Sequence, residues 1–399
     1  MHPITDILLL LFVMYVAALL GGELALCLRL PAVVGEIVAG CVLGPSVLGW
    51  IGSASIASGT PVDMLAEVGV ILLLFSVGLE TSLADLKAVG GHALAVGVLG
   101  VITPFVMAST WAHGLGLAWA HSMFVAAAFV ATSAGITARV LQELGVLGRR
   151  EARIILGAAV IDDILAMLLL GIVTAMQGHG EVSLWPLLGT FAGAVGFVAV
   201  IGLGGSMMMR RGSGWLDAPQ NPLSPLAITL AMCLGLAWLS TRFHLAAIIG
   251  AFLAGMVAAE TRQRGELARS TSPLLAFLTP FFFVVTGARV DLGNLADAHG
   301  LAMLAMALAI AIVSKVVGGF LGAISLGKTS ALIVGVGMVP RGEVGVVIAS
   351  LGLATGLLDS TLYSVIVGMS ILSSIATPPA LAWMFRSQRA SAEQPATSP

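Results

Sequence analysis

The sequence predicts an all-α protein that crosses a membrane about 13 times, at about 20 apolar residues per helical crossing. Of its 399 residues, 58% are hydrophobic and only 10% are charged, whereas soluble proteins carry about 25% charged residues. The 49 glycines are typical of transmembrane helices that pack closely or break. The predicted spans lie at 4–28, 31–49, 64–82, 90–112, 119–141, 153–177, 184–208, 224–240, 244–261, 273–290, 299–326, 329–355 and 360–385.

The positions of the basic residues predict the orientation of these spans. If the N-terminus is outside, 14 of the 18 Lys and Arg residues fall on the inner side. Only Arg242 and Arg289 fall outside, and Lys315 and Arg341 lie within spans. A missed span would reverse every later loop and destroy this asymmetry. The positive-inside rule therefore supports this number of spans and predicts a cytoplasmic C-terminus. The protein is expected to be a multi-pass protein of the cell's inner (plasma) membrane.

The chain is predicted to hold one membrane domain, residues 1–386, followed by a short tail at 387–399. The tail is polar and rich in Ala, Ser and Pro, so we expect it to be disordered and cytoplasmic. The formal net charge is −2 and no basic run is present, so nucleic acid is not an expected partner. Cys27, Cys41 and Cys233 fall in apolar segments and do not predict a disulfide framework.

Asp162 and Asp163 stand side by side in the apolar run 154–170. A charge at the membrane centre costs from about 3 to more than 10 kcal/mol, so two adjacent acids predict a site that handles protons or cations. Adjacent helical residues point about 100° apart, so one acid can face a cavity while the other faces a neighbouring helix. The alternative is a pair that only bonds helix to helix, for which one acid would suffice.

Lys315 lies deep in the span 299–326. A buried ammonium group needs a carboxylate, and the membrane interior offers few. We therefore expect Lys315 to pair with Asp162 or Asp163. The alternative is that its long side chain reaches the membrane interface.

Two spans carry residues that predict helix breaks. Thr132 and Ser133 stand inside span 119–141, and Pro340 precedes Arg341 and Glu343 inside span 329–355. Proline removes a backbone hydrogen bond, and unwound backbone at membrane depth is tolerated only where it is buried or lines a cavity. Arg341 and Glu343 can neutralise each other or meet other polar groups. A purely structural kink at Pro340 remains the alternative.

The order of these features is typical of a secondary transporter with inverted repeats. Such transporters place broken helices in matching positions of two halves, beside ionisable groups near the midplane. Here one broken span precedes the Asp-bearing span and a second follows the Lys-bearing span. The segment 90–177 is therefore predicted to repeat, inverted, as 299–385.

Several sequence motifs occur in the order seen in one transporter superfamily. The chain resembles the monovalent cation/proton antiporters, in their bacterial Na+(K+)/H+ exchanger branch with an Asp-Asp motif. The resemblance covers nearly the whole length. It rests on residues 30–40, 43–46, 69–75, 78–80, 131–141, 154–170, 280–283, 314–315 and 340–343.

The resemblance implies roles for the buried polar residues. Asp163 would bind the cation, Na+ or possibly K+ or Li+, in alternation with a proton, and Asp162 would pair with Lys315 when no cation is bound. Thr132 and Ser133 would lie near the ion. The electroneutral branch has Asn in place of the first Asp, so the pair implies electrogenic exchange. Electroneutral relatives also carry an acid where this chain has Ala158, which leaves Glu343 as the expected partner of Arg341.

The resemblance also implies an arrangement of the spans. A core would form from 90–177 and 299–385 and would move against a scaffold of 4–82 and 224–290, which pairs two chains into a homodimer in membrane lipid. No cofactor is implied. A K+/H+ efflux antiporter is the nearest alternative, although such systems have Gln before a single Asp and an added nucleotide-binding domain.

Two other classes are less favoured by the sequence. A cation channel needs a continuous pore with a filter, which a buried Lys beside acids does not suggest. A membrane enzyme needs a nucleophile or metal ligands, and the seven histidines have no ligand spacing. An enzyme is therefore not expected.

Overall fold

The computed structural model describes residues 3–45, 47–57, 59–81, 83–177, 184–205, 207, 209, 224–243, 245–289, 298–341, 343–354 and 356–393. All regular secondary structure within these ranges is helical. Short 3-10 turns at Ser53–Ile56 and Ile324–Leu326 and a π-helical segment at Val200–Gly205 accompany the α-helices. The α-helices are α1 (Pro3–Cys27), α2 (Ala32–Leu43), α3 (Pro61–Glu80), α4 (Leu83–Gly114), α5 (Trp119–Val130), α6 (Ala134–Glu143), α7 (Arg150–Gln177), α8 (Leu184–Ala199), α9 (Ser224–Arg242), α10 (Ala247–Ala259), α11 (Arg264–Ala288), α12 (Ala298–Ala323), α13 (Lys328–Gly337), α14 (Glu343–Ala354) and α15 (Ser360–Glu393).

Within the described residues, eight helical segments are long and apolar enough to cross a membrane, and shorter apolar helices lie between them. The shorter ones include α2, α10 and α13. Large apolar side chains are exposed along α1, such as Leu9 and Phe12, as expected of a surface that faces lipid. The predicted all-α polytopic membrane fold is therefore confirmed.

The helices pack in two bundles. The first bundle contains α1–α3 and α9–α11, in which α3 contacts α10 and α11, α2 contacts α1 and α11, and α9 contacts α10. The second bundle contains α4–α7 and α12–α15, in which α4 lies against α5, α7 and α12. Helix α6 joins the two bundles, because it contacts α2 and α3 as well as α7 and α15.

Glycines set the close approach of helices inside the second bundle. A Cβ added to Gly318 of α12 would lie 2.6 Å from the carbonyl oxygen of Leu99 in α4. One added to Gly319 would lie 2.7 Å from the Cα of Gly335 in α13. Real Cβ atoms are not found this close to other atoms, so only glycine permits the separation. Helix α12 can therefore sit deep between α4 and α13, which brings Lys315 to the bundle centre.

Two crossing segments are interrupted, as the sequence predicted. Helix α5 ends at Val130 and α6 begins at Ala134; α13 ends at Gly337 and α14 begins at Glu343. In an 18-residue stretch of the first of these segments, 119–143, 94% of the residues are buried, against 17% in the span of α1. Burial by protein on all sides is the condition under which unwound backbone survives at membrane depth.

The C-terminal helix departs from the prediction of a disordered tail starting at residue 387. Helix α15 continues to Glu393, and residues 394–399 lie outside the described ranges. Within the predicted tail, the side chain of Gln388 accepts a hydrogen bond from Arg149 Nη1 (2.6 Å) and donates one to Glu151 Oε1 (3.3 Å). These bonds hold a turn whose composition alone suggested disorder.

Candidate functional site

The two helix interruptions touch each other at the centre of the second bundle. The backbone N–H of Ser133 donates to the carbonyl oxygen of Pro340 (2.7 Å), and Thr132 Oγ1 donates to that of Met338 (3.4 Å). One turn further on, Thr137 Oγ1 donates to the carbonyl oxygen of Gly337 (3.0 Å). Backbone groups freed by each interruption are thus satisfied by the other, as the bilayer interior requires. The predicted crossing of two discontinuous helices is confirmed.

Asp162 and Lys315 form an ion pair beside this crossing. Lys315 Nζ lies 2.6 Å from Asp162 Oδ1, and both side chains are fully buried. The other carboxylate oxygen, Oδ2, accepts a hydrogen bond from the backbone N–H of Thr132 (3.0 Å). Asp162 therefore binds α7 to both α12 and the first interruption. Each charge is paired and hydrogen-bonded, which a buried ion pair requires.

Asp163 points in a different direction from Asp162. It is 5% exposed and lines a cavity of about 10 Å³ together with Ala134 at the start of α6 and Ile248 of α10. A space of this size suffices for about one water molecule. The two adjacent acids therefore face different surroundings, as the rotation between neighbouring helical residues predicts. Asp162 pairs with Lys315 inside the second bundle, and Asp163 faces the first bundle.

Arg341 lies in the second interruption with its side chain fully buried among carbonyl groups. Its Nη1 donates to the carbonyl oxygens of Val130 (3.1 Å) and Ala131 (3.5 Å), and Nη2 donates to that of Ala311 (3.3 Å). Val130 and Ala131 end helix α5, where the helix dipole places negative partial charge. Arg341 thus caps a half-helix at membrane depth, and these backbone oxygens are polar partners of the kind that the sequence left open beside Glu343.

The expected partnership of Arg341 with Glu343 concerns a side chain outside the described part of the structure. Helix α14 begins at Glu343, and nothing further is described for that residue.

Serines of α15 that were not predicted from the sequence as site residues hold the second interruption. Ser373 Oγ accepts a hydrogen bond from the backbone N–H of Arg341 (3.3 Å), and Ser374 Oγ donates to its carbonyl oxygen (2.7 Å). With Ser370 and Thr377, these residues form a buried polar stripe. Their spacing of three and four residues places them on one helix face, so a search for polar periodicity in apolar helices would have found them.

Helix α4 packs against the ion pair of Asp162 and Lys315 inside the second bundle. Gly100 stands next to it, since an added Cβ would lie 3.6 Å from Lys315 Nζ and 3.9 Å from Asp162 Oδ1. Thr103 Oγ1 donates to the carbonyl oxygen of Ser314 (2.8 Å), one residue before the lysine. Neither residue was predicted from the sequence, because a lone glycine or threonine in an apolar span carries no signal by itself.

A second, larger cavity lies in the first bundle and approaches Asp163. It has a volume of about 300 Å³ and is lined at one end by Asp63 and Arg289, whose side chains form an ion pair (2.6 Å). Ile248 lines both this cavity and the small one at Asp163. Ile248 therefore borders both this larger cavity, here called the vestibule, and the small cavity at the buried acid.

We expect the substitution Arg341→Gln to destabilise the protein by about 2 kcal/mol, the stabilisation that a cation provides at a partly buried helix C-terminus. The reason is that α5 would lose the charge that faces its terminal carbonyl oxygens. Thermal unfolding in detergent measures the effect. The exposed Arg386 is the control, because Arg386→Gln removes the same charge and should stay within about 0.5 kcal/mol. Equal stability of both variants would contradict the capping role.

An all-α membrane fold with two crossed, interrupted helices beside a buried ion pair and a second buried acid is that of a secondary transporter. Within that class, the chain belongs to the sodium/hydrogen exchanger family, whose transmembrane model matches residues 11–387.

Relatives of known name cover nearly the full length of the chain. It is 36% identical to the high-affinity Na+/H+ antiporter NhaS3 of Synechocystis, over 96% of this chain and 90% of that protein. It is 34% identical to the Na+/H+-K+ antiporter GerN of Bacillus cereus, over 92% of this chain and 93% of that protein. The structure of the sodium proton antiporter MjNhaP1 from Methanocaldococcus jannaschii matches all of both chains with a TM-score of 0.71 at 16% identity, which establishes a shared fold.

Proposed function

We propose that the protein is a secondary active antiporter that exchanges a monovalent cation for protons, with Asp163 as the group that both ions share. The observation that carries this proposal is that the two adjacent acids, Asp162 and Asp163, face different surroundings. Asp162 is engaged by Lys315 and Thr132, while Asp163 lines a cavity of ion size. A proton on Asp163 removes the negative charge that would hold a cation, so the two ions exclude each other and their flows are coupled.

The transported cation is Na+ in this proposal, with K+ and Li+ as further candidates. NhaS3 is named a Na+/H+ antiporter and GerN a Na+/H+-K+ antiporter, so the names of relatives support Na+ first and keep K+ open. Thr132 and Ser133 stand at the interruption next to the acids and are the proposed neutral oxygen groups near the ion. Carboxylate and hydroxyl oxygens are suited to hard cations of this kind.

The exchange is electrogenic in this proposal, because Lys315 carries the second proton. The four buried ionisable groups are Asp162, Asp163, Lys315 and Arg341. With Asp163 protonated and the other three groups charged, their net charge is +1. With a cation on Asp163 and Lys315 neutral, they carry none. The two loaded forms then differ by one charge, as two protons per monovalent cation require. If Lys315 stayed charged throughout, both loaded forms would carry +1 and exchange would be electroneutral.

Orientation and assembly are part of the proposal. The basic residues place the loop between α6 and α7, which holds Arg149, on the cytoplasmic side of the inner membrane. That leaves the vestibule at Asp63 and Arg289 on the outer side. Two chains are proposed to pair through the first bundle, surrounded by lipid, while the second bundle moves. No catalytic reaction is assigned to the chain.

Purified protein in liposomes with an internal pH dye tests the proposal. Vesicles that are acidic inside should become alkaline when Na+ is added outside, and Li+ and K+ arms define the cation preference. An imposed potential should shift the balanced Na+ gradient about tenfold per 60 mV if one net charge moves per cycle. Large organic cations serve as the control. If the internal pH does not change on addition of any small cation, antiport is excluded. If the balanced Na+ gradient does not change with membrane potential, the two-proton stoichiometry is excluded.

A further inference from the structure

Helix α6 connects the ion site to one face of the protein. It begins next to the crossing, where Ser133 Oγ accepts a hydrogen bond from the N–H of Ile136 (3.5 Å). It ends ten residues later at Glu143, about 15 Å away at 1.5 Å per residue. The far end carries three polar side chains, Arg139, Gln142 and Glu143, none of which the exchange chemistry uses.

Gln142 joins α6 to α3 of the first bundle. Its Nε2 donates to Ser76 Oγ and to Glu80 Oε1, both at 3.3 Å. Ser76 is buried, so this contact lies inside the boundary between the bundles. One amide side chain therefore bridges two turns of α3 from the opposite bundle.

Glu143 joins α6 to the start of α2. Its Oε2 accepts a hydrogen bond from the backbone N–H of Ala32 (2.9 Å), the first residue of α2, whose N-cap residue Pro31 supplies no side-chain bond. Helix N-termini have unsatisfied N–H groups and favour negative charge. Glu143 thus acts as a cap that is provided by the other bundle.

Arg139 completes the connection through a buried acid of α2. Its Nε donates to Glu143 Oε1 (2.8 Å), and Nη2 lies 3.8 Å from Glu36 Oε1. Glu36 is 6% exposed, and its Oε2 has no hydrogen-bond partner. Because a buried carboxylate needs compensation, Glu36 depends on Arg139, which belongs to the bundle that must move.

The opposite side of the same boundary holds the 300 Å³ vestibule. Val70 and Phe282 line it, and both lie close to the first turn of α6, 2.9 and 3.6 Å from where a Cβ on Gly135 would be. One end of α6 is therefore tied to the first bundle by polar bonds, and a cavity of about 300 Å³ lies beside its other end. The two sides of the ion site differ, as expected of a transporter that exposes its site to one side at a time.

We propose that Arg139, Gln142 and Glu143 form a latch with Ala32, Glu36, Ser76 and Glu80, and that this latch closes the cytoplasmic route to Asp163. The inference rests on the proposed function and orientation. The latch breaks when the second bundle moves to release the cation inside, and α6, as a rigid helix, couples its state to the crossing. These residues are positioning residues, since they do not touch the transported ions.

Thiol labelling tests the latch without requiring transport. All three native cysteines are replaced by Ala, Ser76→Cys is introduced, and inside-out membrane vesicles are treated with a membrane-impermeant thiol reagent. Adding Arg139→Gln and Glu143→Gln should raise the labelling rate about tenfold, the shift expected when two or three polar contacts are lost. The matched control adds Arg149→Gln and Glu151→Gln, which lie at the same end but inside the second bundle, and should leave the rate unchanged. An unchanged rate in the first variant would overturn the latch.

Cross-linking tests whether the latch must open during exchange. In the cysteine-free chain, Ser76→Cys and Gln142→Cys are joined by a short bifunctional thiol reagent that a reductant cleaves. Cross-linked protein should lose at least about 90% of its exchange and regain it after reduction, as expected when the opening motion itself is blocked. The control pair is Arg149→Cys with Gln388→Cys, which joins α7 to α15 inside one bundle and should leave exchange intact. Full exchange by the protein cross-linked between 76 and 142 would overturn the proposal.

The two arms separate failure of the latch from failure of the proposed function. If the native chain moves no cation while latch substitutions still raise labelling, the latch is supported and the antiport assignment is wrong. If exchange is present but neither labelling nor cross-linking has an effect, the antiport assignment stands and the latch is a static contact.

Discussion

Replacing Asp163 with Asn is expected to abolish cation-coupled proton movement while the protein remains folded. The amide has the shape of the carboxylate but can neither release a proton nor hold a cation by charge. Breaking a buried charge pair costs about 3–5 kcal/mol, which corresponds to a loss of at least about a hundredfold in cation affinity. Exchange in liposomes and proton release on cation addition to the purified protein measure the two aspects separately.

Glu151 provides the control for this substitution, because it is the third acid of α7 and lies at the far end of that helix from the site. Its Oε1 accepts hydrogen bonds from Ser330 and Gln388. Glu151→Gln removes the same charge from α7, and we expect exchange per folded molecule to be retained. Undiminished exchange by the Asp163→Asn variant would show that the shared carboxylate lies elsewhere.

The second large effect is expected at Lys315. Lys315→Gln leaves Asp162 as a buried carboxylate without its ion-pair partner, which costs about 3–5 kcal/mol of stability. The same change removes the proposed second proton, so any exchange that remains should no longer depend on membrane potential. Thermal unfolding and the potential dependence of the Na+ gradient are the two measurements.

Two further variants separate the structural from the transport role of this lysine. Lys315→Arg keeps the charge but cannot deprotonate, so we expect a stable protein whose exchange does not respond to potential. Lys315→Gln combined with Asp162→Asn removes both charges and should regain most of the lost stability, as double-mutant coupling between contacting residues predicts. Potential-dependent exchange by Lys315→Arg would contradict the two-proton mechanism, although the ion pair itself would stand.

Much of the fold could be predicted from the sequence, because each polar group that is exposed to the bilayer interior costs free energy. Residues that depart from an apolar run are therefore informative individually. A long apolar run must be a helix, and a proline or paired hydroxyls inside one indicate a break. The crossing at Ser133 and Pro340 could therefore be predicted from the sequence. The short helices α2 and α10 were harder to delimit, since glycine-rich helices that pack against protein need not span the full hydrocarbon thickness by themselves.

The candidate site was predictable in composition but not in contacts. Lys315 needed an acid, and either neighbour satisfied that requirement equally. Arg341 was expected to meet Glu343 or other polar groups, and the described contacts of its side chain include carbonyl oxygens at the end of α5. A half-helix terminus is a partner that only three-dimensional packing creates, because its negative end becomes available to a residue about 200 positions away.

The sequence alone determined that this protein is helical, lies in a membrane and buries two acids, a lysine and an arginine near two helix breaks, since the cost of a charge in lipid makes each of these positions conspicuous. The residue pattern left the partner of Lys315 open between the two acids, and the family resemblance assigned it to Asp162, the pairing that the structure contains. Only the tertiary structure decided that Asp163 faces the boundary between the bundles and that α6 carries polar contacts across that boundary. The rotation of α7 against its neighbours makes the first choice, and the packing of α6 against α2 and α3 makes the second. Neither is encoded in any local stretch of residues.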